Sequence, residues 1–421
     1  MTILLKEALI ISPGSSQHRK KMDVLIEGGM IVSIKKNIAS KANYKVVEEE
    51  GLCVSPGWID MQAVSGDPGL EHKEDLDSLI ACAAAGGFTA VCVHNFNQPA
   101  LHNKAQIEYI LNKTRNKIVD VYPLGTITVD GKGKDLAEMY DMKQSGAIAF
   151  SDHKHAIKDA GMLLRALQYA SNVNTLVIAH CNDSSISAGG QMNEGEVSTT
   201  LGLKGIPALA EELMLERNIS ILEYAGGKLH VPTISTKGSV DLIKKAKSVG
   251  LSITCGVAVA NLALDESALK DFDTNYKVEP PLRSKKDVIA LRNALESGII
   301  DVVVSDHLPQ DVESKELEFD HADNGMITLQ TAFAMANTAM KDRNFDAVIE
   351  ALTSKPRKIL GIEQSHIEEG EDANLSLFVQ NVSHTFNERD NRSRSKNSPY
   401  LNQSLHGKVI GIIKGSKSFF N

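Results

Sequence analysis

The chain has 421 residues, of which 42% are hydrophobic, and a formal net charge of −8. That length fits one large domain or two modest ones. The acidic balance, with no long Lys/Arg stripe, excludes a nucleic-acid footprint, and no stretch approaches the ~20 consecutive apolar residues that a membrane span requires. The five cysteines, Cys53, Cys82, Cys92, Cys181 and Cys255, are scattered and form no CxxC pair. They are expected as buried free thiols of a cytoplasmic protein.

The opening "MTILLKEALIISPG" is broken by Lys6 and Glu7, so it predicts a strand and not a signal peptide. "MDVLIEGGMIVSIKKNI" places two apolar runs around Gly28 and Gly29 and predicts a hairpin. Strands are then predicted at Val54–Met61, Thr89–His94, Val119–Leu124, Ala147–Ser151, Thr175–His180, Lys228–Ile234, Leu251–Cys255 and Asp301–Ser305. Helical stretches separate most of them, including "EDLDSLIACAAAG", "AGMLLRALQYAS", "IPALAEELMLERN", "GSVDLIKKAKSVG" and "SKKDVIALRNALESG". Eight strands alternating with helices predict an α/β fold, a (β/α)8 TIM barrel. Near the C-terminus "NERDNRSRSKNS" reads as a solvated loop, and "ANLSLFV" and "GKVIGIIKGSKSF" read as strands.

In such barrels the active site lies at the C-terminal ends of the strands. Strand one ends at Gln62, Ala63 and Val64, strand two at His94 and Asn95, and strand four at "SDHKH", Ser151 to His155. Strand five ends at His180, strand six carries His230 and Thr233, and strand eight ends at Ser305, Asp306 and His307. Imidazoles and carboxylates at three strand ends are the donor types of a zinc-like site. A histidine at a strand end is also commonly no more than a satisfied polar residue, and both readings stay open on these residues alone.

Five segments carry a resemblance: "SPGWIDM" with "GDPGLEHKEDLDS" and "AAAGGFTAV"; "AHCNDSSISAGGQMNEGEVSTTLGLKGIP"; "KVEPPLRSKKDVIALRNALESGIIDVVVSDHLP"; "EGEDANLSLF"; and "SKNSPY". Over nearly its whole length the chain resembles the dihydroorotase family of the amidohydrolase superfamily, in the bacterial class that partners aspartate transcarbamoylase. The resemblance implies a barrel over residues 54–365, with residues 1–53 and 366–421 joining into a small β-sandwich beside it.

The resemblance also shows where the chain departs from its family. The His-x-His that ligates metal at the end of strand one is Gln62 and Val64 here. The Arg that grips the substrate carboxylate is Gly66, the strand-six metal His is Thr233, and the substrate-binding Asn before Pro-Pro-Leu-Arg is Glu279. The second His of the strand-eight motif is Gln310. Asn95, His180 and Asp306 match, with Asp152 or its neighbour His153 at the strand-four ligand position. The resemblance thus implies remnants of a metal set at His180, Asp152 and Asp306, with Asp306 also the remnant proton shuttle and Asn95 a remnant substrate contact.

Metal-bound water has a pKa of about 7 against about 15.7 in bulk, so losing the metal forfeits on the order of 10 kcal/mol of activation. Losing the Arg removes a bidentate clamp, and Glu279 is expected to repel an anionic substrate. Three readings follow. The first is a non-catalytic homologue, a structural or regulatory partner of aspartate transcarbamoylase, with no cofactor and with a homo-oligomeric state. The second is an active cyclic amidohydrolase with a remodelled zinc site built from His180, Asp306, His153 and His155. The third is a small-molecule binding module.

Overall fold

In the computed structural model, residues 2–94 and 96–421 are described. Eight parallel strands form the barrel: β1 (Trp58–Val64), β2 (Phe88–His94), β3 (Asp120–Gly125), β4 (Ala149–Ser151), β5 (Val177–Ile178), β6 (Leu229–Val231), β7 (Ile253–Ala258) and β8 (Val302–Val304). Every residue of β1 and β2 is buried, as strands covered on both faces must be. The ring closes between β8 and β1. Ala63 bridges His307 in parallel register, and the Val64 N–H donates to the His307 carbonyl at 3.1 Å. Below that seam the buried Asp60 carboxylate accepts the Ser305 N–H at 2.8 Å and the Ser305 hydroxyl. Burial pushes the Asp60 carboxyl up to about 6, against the lowering effect of the Ser305 hydrogen bonds.

The two ends of the chain meet in one hydrogen-bonded eight-stranded sheet beside the barrel. Strand Leu52–Pro56 pairs in parallel with Thr2–Ile10 and antiparallel with Asn374–Phe386, and so joins the N- and C-terminal parts. This sheet buries a cluster of its own, including Leu5, Ile26, Val54, Leu377 and Ile413. Trp58, the sole tryptophan, stacks on Phe333 at 5.2 Å and lies 5.3 Å from Phe378 of the terminal sheet, fastening the barrel to it.

Three sequence readings change. The single strand expected over Val54–Met61 is two strands in different sheets, divided at Gly57. A Cβ there would lie 2.1 Å from the Asn374 side chain and 2.2 Å from Thr89, so only glycine allows the chain to pass between the sheets. The helix expected to end near Asn218 runs Ala208–Ala225, with the buried Asn218 amide accepting from Arg217 and donating to the Cys181 sulfur. The "NERDNRSRSKNS" segment is not a solvated loop throughout. Ser395, Asn397 and Ser398 are buried, and Ser393 donates to the buried Glu74 carboxylate, which also faces His307 at 3.4 Å. The five cysteines are free and buried, and no described helix is long and apolar enough to cross a membrane.

Asp60→Ala leaves two buried donors of Ser305 without an acceptor. It is expected to cost about 3 kcal/mol of stability with the fold retained, measured by denaturant unfolding followed by circular dichroism.

Candidate functional site at the barrel mouth

The site assembles at the C-terminal ends of the barrel strands. Asp306, just past β8, sits at φ 54, in the left-handed region that costs a non-glycine residue free energy. Its carboxylate accepts the Gln62 side-chain N–H at 2.6 Å. It also accepts the Lys154 ammonium at 2.7 and 2.9 Å, one distance to each oxygen. Lys154 donates in addition to the Glu279 carbonyl at 2.5 Å. The Lys154 and Asp306 side chains are each 11% exposed. β4 and β8 lie half a turn apart in the barrel order, so this ion pair spans the mouth.

Glu279, in the connection between β7 and β8, forms the second group. It accepts from the Asn182 amide at 2.9 Å and faces His180 Nε2 at 3.4 Å and the Asn324 amide at 3.5 Å. Burial works against its ionisation. The hydrogen bond and charge of His180, the charge of Lys154 and the Asn182 bond outweigh burial and hold its carboxyl down at about 2. Glu279 is therefore a neutralised member of a network, not the bare repulsive charge that the sequence suggested.

Strand four resolves differently from its sequence reading. Asp152 turns away from the mouth: its oxygens accept the Ile127 and Thr128 N–H groups at 2.8 and 3.1 Å and the Thr128 hydroxyl at 2.6 Å. His153, at φ 56, is the residue turned inward, 5.3 Å from the His94 ring. His155 is exposed, so His153 and His155 do not share a site. Burial pushes the His94 and His230 imidazoles down to about 3 and His153 well below its ordinary value, keeping all three neutral. His94 Nδ1, His153 Nε2, His180 Nδ1, His230 Nε2, Thr233 Oγ1 and Gln62 Oε1 are buried without hydrogen-bond partners.

These donors do not fit a metal ion as they are arranged. No group of three His, Cys, Asp or Glu side chains among the described residues is disposed to hold one. Gln62 turns an N–H toward the carboxylate, Val64 contributes only its backbone, and an ammonium occupies Asp306.

Gly66 and Gln310, two further positions singled out in the sequence, are both held by local contacts. Gly66 lies in a tight loop, donating to the Glu74 carbonyl and accepting from Leu70 N–H. A Cβ at Gly66 would lie 2.1 Å from the Leu70 carbonyl oxygen. Gln310 bridges Lys73 at 2.6 Å and the Asn324 carbonyl at 2.8 Å. Asn95 lies outside the described residues. Sequence reasoning missed Lys154, Asn182 and Asn324. The run "SDHKH" held the only signal for Lys154, and it was read there for its histidines.

Solved hydantoinase and dihydropyrimidinase structures share the fold. A dihydropyrimidinase from Brevibacillus agri superposes with a TM-score of 0.83 at 21% identity, covering 100% of this chain and 95% of that one. An L-hydantoinase from Arthrobacter aurescens gives 0.82 at 21% identity, covering 99% and 95%. A family model described as dihydro-orotase-like matches residues 51–239. A dihydroorotase of Trichlorobacter lovleyi is 37% identical over 100% of both chains, and one of Pelotomaculum thermopropionicum is 39% identical over 99% of this chain and 98% of that protein. The chain belongs to the dihydroorotase family of cyclic amidohydrolases.

Two outcomes are expected. Gly66→Arg should destabilise the protein by a few kcal/mol, because the Leu70 backbone must move before any side chain fits; thermal unfolding reads this directly. The Glu279 carboxyl lies at about 2, below its ordinary 4.5. It therefore contributes stability above pH 4.5 that is lost as pH falls through 2. The stability difference between wild type and Glu279→Gln should shrink over that window in acid titrations of unfolding.

Proposed function

We propose that this chain is a dihydroorotase homologue that does not carry out metal-dependent hydrolysis and serves as a structural or regulatory partner of another protein. Aspartate transcarbamoylase is the candidate by family analogy, with a homo-oligomer as the working form and no zinc required. The observation that carries the reading is the Gln62 hydrogen bond to Asp306 at 2.6 Å. The position that should offer a lone pair to a metal offers a proton to its neighbour instead. Without a metal to lower the pKa of water, nothing else among the described residues of the mouth supplies a nucleophile of comparable strength.

The scaffold around the mouth supports a non-catalytic use. Arg283 of the Pro-Pro-Leu-Arg motif is almost fully buried, donating to Ser235 at 3.0 Å, Asn193 at 3.0 Å and the Ile206 carbonyl at 2.7 Å. Glu211 accepts the Ser235 N–H at 2.8 Å and the Ser239 hydroxyl at 2.6 Å. These contacts hold the loops after β5, β6 and β7 together, so the motif's retention is accounted for by structure alone.

One observation favours the alternative of an active cyclic amidohydrolase with a remodelled zinc site. His153 Nε2 and His180 Nδ1 are buried without partners, and imidazole lone pairs of that kind are zinc donors. Metal analysis separates the two. Protein purified without chelators and dialysed is expected to hold well under one zinc per chain and to leave dihydroorotate intact. It is expected to co-elute with aspartate transcarbamoylase from the same source on gel filtration at micromolar concentrations. Stoichiometric zinc with measurable hydrolysis would establish the alternative, and separate elution would remove the partner.

A further inference from the structure

The Lys154 ammonium has a role that none of the family positions predicts. Asp306 is a largely buried carboxylate, and such a group persists in ionised form only beside a compensating charge. Lys154 provides one from the opposite side of the barrel, contacting both Asp306 oxygens and the Glu279 carbonyl. Gln62 completes the shell with one further N–H. The Lys154 and Gln62 contacts at Asp306 bring positive or proton-donating atoms to the carboxylate, which is the pattern that surrounds an anion already matched with its cation. A divalent ion drawn to Asp306 would have to approach a fixed positive charge already within 3 Å of that carboxylate.

We propose that Lys154 is the permanent, covalently tethered cation of the barrel mouth. It occupies Asp306 in place of a metal ion and braces β4 against β8 across the opening. The brace also reaches the β7–β8 connection, since one ammonium holds Asp306 and the backbone of Glu279 together. Anything entering the mouth to reach Asp306 meets this closed pair first. The proposal concerns the charge balance of the mouth and does not depend on what partner the chain serves.

The test is a double-mutant cycle on folding stability, run with the full chain at neutral pH. Lys154→Met keeps the length and removes the charge; it should lower Tm by about 5 °C, because the Asp306 carboxylate is left uncompensated. Asp306→Asn alone should also lower Tm. Combined, the two substitutions should give a protein more stable than Lys154→Met alone, which reads as coupling between the two side chains. Additive losses would overturn the proposal, as would wild-type protein that retains stoichiometric zinc after dialysis. Should the single variants fail to fold, a folded double variant carries the same meaning as the coupling. A double variant that is also unfolded would show that the pair is not an exchangeable unit, and the proposal would fall.

Discussion

A carboxylate at the centre of a barrel mouth must be neutralised, and here the Lys154 ammonium does it. The rest of the mouth follows from that pair. With Asp306 already matched, the neighbouring strand-one position is best filled by a hydrogen-bond donor, and Gln62 is one. With Lys154 also bonded to the Glu279 backbone, the β7–β8 connection is drawn over the opening. The Glu279 carboxylate then finds His180 and Asn182 in reach. Gln62 and Glu279 thus belong to one charge network centred on the Lys154–Asp306 pair.

The histidines show how the same residue types take another physical state. His94, His153 and His230 are fully buried and neutral, with desolvation the first cause. Each leaves one ring nitrogen without a partner. Buried polar atoms of this kind are costly, and two backbone positions beside them, His153 and Asp306, sit in the left-handed region. The left-handed backbone at His153 and Asp306 is held in shape by what surrounds it.

What surrounds it is a set of buried polar networks. Arg283 ties three loops, Asp60 and Ser305 close the ring, and Glu74 joins His307 to the C-terminal segment through Ser393. Such networks are expensive when incomplete, so each constrains its loop whether or not chemistry takes place above it.

The order of strands and helices, the hairpin at Gly28 and Gly29, and the barrel itself were legible in the sequence, because alternating apolar periodicity is set by local geometry and burial. The sequence also placed a polar run at Ser151 to His155, but it could not say which side chain of that run turns inward. β4 ends at Ser151, and beyond it the two-residue period of a strand no longer dictates direction. Only the tertiary structure sent Asp152 to Thr128, His153 inward, His155 to the surface and Lys154 across the barrel to Asp306. The last of these depends on charges 152 residues apart in the chain, and a Coulomb interaction between side chains so distant in sequence leaves no periodic trace in it.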